Sequence, residues 1–287
     1  MANPTCLSPL KFYDSLDKQE RYKSYAYGHI SPVIMPHSKI LPFQFVLNNS
    51  SEQITSIYIY YASTNTLAIQ TNILQALVEA GLTQKSINGF NVLLYPGTFH
   101  LQGIPYEGEY YLKMQTSIGS IYYSEVFCFT NALDEYIEIE YWNKETGFKL
   151  SNGIVTFVDN FHFKILLKSE LGKPEYKFEE ETTNRLGYSF IESQISKKIY
   201  KFNAVLPECI CDALRLVRLC SNKKLTCKDE VYDMLTFEMD VDWLEQGDLA
   251  DVKCEFEIDN VIVNLGGFRH IPVGGEFNED YSDDYNI

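Results

Sequence analysis

Residues 188–258 change hydrophobic period twice, and a chain absorbs such changes by laying strand, helix and hairpin on one another. Residues 198–203 alternate, with Ile199, Tyr200 and Phe202 as the apolar members, which predicts a strand. Residues 206–220 then set Leu206, Ile210, Leu214, Val217 and Cys220 at helical spacing, so one side of a helix is apolar. Pro207 suits the first turn of that helix, Glu208 the positive end of its dipole, and Arg215 and Arg218 the negative end. Residues 236–242 and 251–259 return to alternation as acidic strands around a turn at Glu245-Gln246-Gly247-Asp248. This segment spends its residues on packing and on one polar face. It predicts an architectural protein.

The remainder reads the same way. Residues 1–30 are polar and rich in tyrosine, and are expected as an arm that a neighbour orders. Pro32, Pro36 and Pro42 stiffen the approach to a first strand at 43–47. A strand at 54–61 puts Ile57, Ile59 and Tyr61 on one face and Tyr58 and Tyr60 on the other. A short helix is predicted over 71–80, with Thr71 as N-cap and Gly81 as its stop. Residues 90–95 form a strand halted by Pro96-Gly97, and 110–115 with 121–129 form a hairpin whose turn uses Gly119. The character of the sequence changes at 130–134, and a domain boundary is expected there. Beyond it, residues 136–142 alternate strictly, residues 154–158 and 161–167 extend the sheet, and 174–181 with 188–192 bracket a turn. Residues 274–287 form an acidic tail.

With 287 residues, one large or two smaller domains are expected. The 21 tyrosines and 18 phenylalanines sit mostly in short alternating runs, which favours β structure. A net charge of −15 argues against binding a phosphate backbone and against docking on an anionic membrane. The seven scattered cysteines suit free thiols in a reducing cytoplasm, and residues 1–20 contain no apolar core of a secretory signal.

The constellations that could carry chemistry are weak. Cys209, Cys211, Cys220 and Cys227 lack the spacing of a structural zinc site, so no metal site is expected and the thiols are read as core. Asp240 and Asp242 beside the turn at 245–248 do not make a calcium loop. No nucleophile elbow, phosphate loop or dinucleotide fingerprint appears, so neither a catalytic residue nor a cofactor is assigned. Glu138 with Glu140 is one of several acidic pairs, and acids alternating on a strand face one way, which fits a solvated or intersubunit face better than a glycosidase cleft. Tyr58, Tyr60, Tyr122 and Tyr136 are expected to point outward, onto a protein partner or onto sugar rings.

Two passages resemble virion structural proteins of tailed bacteriophages that infect Bacteroides-type gut bacteria. One is Gly108-Glu109-Tyr110-Tyr111-Leu112-Lys113 followed by Tyr122-Tyr123-Ser124-Glu125-Val126-Phe127, similar to a hairpin that closes an immunoglobulin-like module in that family. The other runs from Tyr136-Ile137-Glu138-Ile139-Glu140-Tyr141-Trp142-Asn143 through Pro174-Glu175-Tyr176, Glu179-Glu180-Glu181 and Lys198-Ile199-Tyr200-Lys201-Phe202 to Asp242-Trp243. The resemblance covers roughly residues 90–260 and supplies no catalytic residues. It implies a tail, collar or baseplate component.

The expected fold is therefore mainly β, with two β-sandwich-like domains, the first immunoglobulin-like and the second with one packed amphipathic helix. Residues 1–30 are the arm, 31–131 the first sandwich, 132–273 the second, and 274–287 the tail. The expected function is a structural component of a phage particle, in the tail, connector or collar, or baseplate. Such a protein is assembled in the host cytoplasm and touches copies of itself in a ring and neighbouring virion proteins, not nucleic acid or membrane. The candidate interface residues are Tyr22, Tyr25, Tyr27, Tyr58, Tyr60, Glu138 and Glu140. The rival readings are a module at the tail tip binding host-surface glycan, and an acid-pair glycosidase.

Overall fold

The computed structural model describes residues 8–19, 33–47, 49, 51–87, 89–104, 108–144, 147–150, 153–185, 188–244, 249–258 and 262–265. The expected turn at 245–248, the tail, and Tyr22, Tyr25 and Tyr27 lie outside these residues. The first half of the chain builds β1 (Phe12–Tyr13), β2 (Val33–Pro36), β3 (Phe43–Leu47), β4 (Ile54–Tyr61), α1 (Leu74–Glu79), β5 (Thr83–Ile87), β6 (Phe90–Tyr95), β7 (Glu109–Thr116), β8 (Ile121–Ser124) and β9 (Phe127–Thr130). The second half builds β10 (Tyr136–Trp142), β11 (Gly147–Leu150), β12 (Gly153–Thr156), β13 (Phe163–Lys168), β14 (Glu175–Arg185) and β15 (Tyr188–Pro207). It continues with α2 (Glu208–Leu219), β16 (Asn222–Cys227), β17 (Glu230–Asp233), β18 (Glu238–Trp243), β19 (Leu249–Glu257) and β20 (Ile262–Leu265). The fold is mainly β, as the short alternating runs require.

One sheet runs through both halves, in the order β1-β8-β7-β9-β2-β13-β10-β16-β17, with β4 on the other edge of β7. Strand β2 is its joint. It pairs in parallel with β9, Ile34 beside Cys128, and antiparallel with β13, where Ile34 meets Leu166. Strand pairing thus crosses the position where the sequence changes character. A three-stranded sheet (β3-β6-β5), a two-stranded one (β11-β12) and a five-stranded one (β14-β15-β19-β18, with β20 on β15) complete the architecture.

Alternation becomes two-sidedness. In β10, Ile137, Ile139 and Tyr141 are buried while Tyr136, Glu138, Glu140 and Trp142 are half-buried. The neighbours follow the same rule: Ile57 and Ile59 in β4, Leu112 and Met114 in β7, and Phe163, Ile165 and Leu167 in β13 all enter one continuous core. Each such side chain stabilises the fold by about 1.5–3 kcal/mol on burial.

Helix α2 closes that core with Ala213, Leu214 and Val217, all fully buried. It starts two residues later than its apolar period predicts. Leu206 and Pro207 stay in β15 because they pair with Ala250 and Leu249, and Pro207 becomes the N-cap instead of a first-turn residue. At the other end Lys223 Nζ donates to the Cys220 carbonyl at 2.8 Å, and Asn143 Oδ1 accepts the Ser221 N–H at 2.7 Å. Helix α1 is also shorter than 71–80. Asn72, not Thr71, holds its start: Asn72 Oδ1 accepts the N–H groups of Leu74 and Ile57 at 3.1 and 3.0 Å.

Within the segment expected as an arm, residues 8–19 lie on the chain's own body, which corrects that part of the expectation. Leu10 and Gln19 are fully buried, β1 pairs with β8, and Phe12 packs on Phe43 and Phe45 at ring separations of 5.0 and 5.1 Å. Leu10 and Phe12 supply the apolar surface by which this stretch packs on the core.

Candidate functional site

Side chains at paired positions of neighbouring strands point to the same face of a sheet. Carrying that rule across the long sheet, Tyr58 and Tyr60 of β4 stand with Lys113 and Tyr111 of β7. That side continues through Cys128 of β9, Ile34 of β2 and Leu166 of β13 to Glu138 and Glu140 of β10. The four described residues of the predicted interface therefore share one side of the sheet, opposite the main core, although Tyr60 there packs against a small second buried cluster of Ala62, Tyr111 and Val126. They form two groups, five interstrand spacings apart, or about 24 Å.

The aromatic group is built by stacking. Tyr60 lies on Tyr111 with ring centroids 5.4 Å apart, and Tyr111 contacts Tyr123 at 6.1 Å. The Lys113 ammonium sits 5.3 Å from the Tyr60 ring and 5.9 Å from Tyr123, within reach of a cation–π attraction. Burial, followed by the neighbouring Tyr60, raises the Tyr123 hydroxyl above the usual phenol range.

The charged group is built by pairing. Lys164 of β13 donates to Glu138 at 2.6 Å and lies 3.7 Å from Glu140. Glu140 Oε1 also meets His162 Nδ1 at 2.8 Å, and the imidazole stacks on Trp142 at 4.2 Å. Burial works against the charged Lys164, yet the hydrogen bond to Glu138 and the charges of both carboxylates outweigh it, and its pKa is raised. Glu138 and Glu140, expected on a solvated or intersubunit face, keep 28% and 25% exposure and already meet cations of their own chain. The His162 Nε2 atom is buried without a partner. It borders a cleft of about 380 Å³ with Glu140 and Lys164, closed by Asp159 and Asn160, which both hold left-handed backbones at φ 56° and 58°. Lys85 ion-pairs with Asp159 across this turn.

Tyr122 is corrected. It does not point outward: paired with Met114, it faces the core, is 2% exposed, and its hydroxyl donates to the buried Glu52 carboxylate at 3.1 Å. Tyr136 is on the outer face, opposite Lys168. Lys113 and Lys164 are not legible as site residues in the sequence, because strand partnership, which sets them beside the predicted residues, is a long-range property; Trp142, two positions after Glu140 on the same strand, follows from the alternation of β10. Among the described residues no group of three or more histidine, cysteine or carboxylate side chains is placed to hold a metal ion.

The buried acids and bases set an alkaline limit. Burial pushes the thiols of Cys220 and Cys254 up to about 12, and the Tyr95 and Tyr110 hydroxyls to about 12. The unfolded chain ionises its thiols near 9.0 and its tyrosines near 10.0, so stability is full below that and falls as the pH climbs toward 12. Lys164, raised by its partners, is lost in the same direction; Lys223, lowered chiefly by burial, runs the other way with a smaller weight of groups. The urea midpoint is expected to be level from pH 7 to 9 and to drop by pH 11. A midpoint unchanged at pH 11 rules this account out.

No protein-family model matches the chain, and no curated protein matches it either.

Proposed function

We propose that the chain is a structural subunit of a phage particle, in the tail, the connector or collar, or the baseplate. In this reading it is assembled in the host cytoplasm and works through contacts with copies of itself and neighbouring virion proteins, without a catalytic step. The observation that carries the reading is the outer face of the long sheet. It sets half-buried Tyr58 and Tyr60, the latter stacked on buried Tyr111, toward one end and a paired acid–base cluster toward the other on the same side of the sheet. Tyrosine contributes large contact area at low entropic cost, and spaced opposite charges fix the register of a partner. The resemblance of the Tyr110 and Tyr136 passages supplies the virion context. The finer description, an immunoglobulin-like module ending near 131 and a second sandwich carrying α2, belongs to the same proposal, with β2 as the strand the two modules share.

The test removes the aromatic group. Tyr58→Ala with Tyr60→Ala leaves the main core face of β4 intact but removes Tyr60 from its stack on buried Tyr111, so the chain should lose about 1–3 kcal/mol and still fold, which a thermal melt reads. Its share of purified particles, read by mass spectrometry and imaging, should fall several-fold. Normal incorporation of the double variant, or absence of the parent chain from particles, overturns the reading.

A further inference from the structure

Strand β14, the first half of β15 and β20 form a ribbon, and from Glu175 to Glu181 the outer edge of β14 has no strand partner among the described residues. Such an edge offers a row of amide and carbonyl groups that a further strand can pair with. The two faces beside it differ. Tyr176 stands opposite Lys198, and Phe178 opposite Ser196, which in turn is paired with Ile262. This is the face on which β15, further along, sends Tyr200 and Phe202 into the core. On the ribbon it is open: Tyr176 is 60%, Phe178 71% and Ile262 66% exposed. The opposite face is a ladder of charge, with Glu175 on Lys201 at 2.7 Å, Lys177 on Glu255 at 3.2 Å and Glu179 on Lys197 at 2.7 Å.

We propose that β14 is the contact for a second copy of this chain, paired antiparallel and edge to edge about a two-fold axis at Phe178. In that register the strand is complementary to itself. On the aromatic face Phe178 meets its copy, and each Tyr176 falls opposite the copy's Glu180, whose carboxylate accepts from Gln194 of its own chain at 2.8 Å. On the charged face Lys177 falls opposite Glu179 twice, once on each side of the axis. Glu175 falls opposite Glu181, and Lys201 already sits on Glu175 to offset that like pair. The face-preserving two-fold registers on either side set Lys177 or Glu179 against itself, and a slip of one residue sets the apolar face against charge. The contact deepens the assembly reading and rests on it for its place in the particle. It is isologous, so it joins two subunits and leaves the outer sheet face for other neighbours.

Sedimentation of the full-length chain should give twice its mass of 33.1 kDa. Lys177→Glu alone, or Glu179→Lys alone, should weaken self-association about tenfold or more, since each change meets a like charge twice per dimer. The combined swap restores opposite charges across the axis and should recover most of the association, the remainder being lost because Glu255 and Lys197 of the same chain then face like charges. Thermal melting of each variant reports that the exposed changes leave the fold intact. Phe178→Cys should cross-link under mild oxidation, because paired Cα atoms lie about 4.5–5.5 Å apart, within disulfide reach. Tyr176→Cys should not, because its copy lies about 14 Å away. A monomeric parent, single variants that associate like the parent, a swap that fails to restore association, or equal cross-linking at both positions overturns the contact. A monomeric chain that still enters particles sinks the contact and spares the assembly reading; a dimer that is absent from particles does the reverse.

Discussion

Replacing Leu214 with aspartate leaves the chain unfolded or insoluble. Leu214 is fully buried on α2, on the side that meets β15, β18 and β19. A carboxylate there loses its hydration and finds no cation, at several kcal/mol. The lost leucine contacts add about 2–5 kcal/mol by analogy with core truncations. Together these reach the lower half of the roughly 5–15 kcal/mol that holds a typical domain folded. Leu219→Asp, on the same helix but 60% exposed, should stay within about 0.5–1 kcal/mol of the parent. Circular dichroism and thermal melts of the pair decide it: a Leu214→Asp protein that melts like its parent would show that this side of α2 is not core.

Gly97→Ala should be the most damaging single-methyl change outside the core. Gly97 has φ +78°, and a Cβ built there would stand 2.6 Å from Pro42 Cδ and 2.9 Å from the Pro42 backbone nitrogen. A proline ring fixed to the entry of β3 cannot swing aside. The left-handed backbone costs about 1–2 kcal/mol for alanine, and the clash about 1–3 kcal/mol more. Gly119 is the control. Its φ is +88° but a Cβ would meet nothing within 4 Å, so Gly119→Ala should pay the backbone part alone. Urea midpoints of the two variants should differ by the clash. Equal losses would mean that Pro42 yields.

These two positions also mark what the sequence makes legible. Period and punctuation are local, so the strand at 136–142, the apolar stripe of α2, the stop at Pro96-Gly97 and the turn at Gly119 can all be read along the chain. Partnership is not local. Nothing in residues 136–142 says that Lys164 and His162 will meet Glu138 and Glu140. The core-facing Tyr122 could not be told from its outward neighbour Tyr123, because the choice depends on Glu52 arriving from another turn. Strands with weak or misleading alternation were missed. In β16 the inward positions include Lys223, whose amine is satisfied by the Cys220 carbonyl at the end of α2, a partner that alternation alone does not reveal. In β5 the five residues are mostly polar, and the strand exists because β6 offers it an edge.

The joint at β2 has a consequence for how the molecule comes into being. A strand of four residues made early in synthesis waits for β9 to give it one neighbour and for β13 to give it the other. The first described residues are bound in two steps: Tyr13 can reach Glu125 before β9 is made, whereas Lys11 waits for Asp212, which lies 201 positions further along. Closing loops of that length before contacts repay them makes folding slow, and it leaves bare strand edges while the chain is incomplete. A nascent chain stopped at 131 would keep β9 beside β2 and expose the edge that β13 was to cover. The order of emergence from the ribosome, more than the strength of any one contact, then decides how many chains reach the finished sheet.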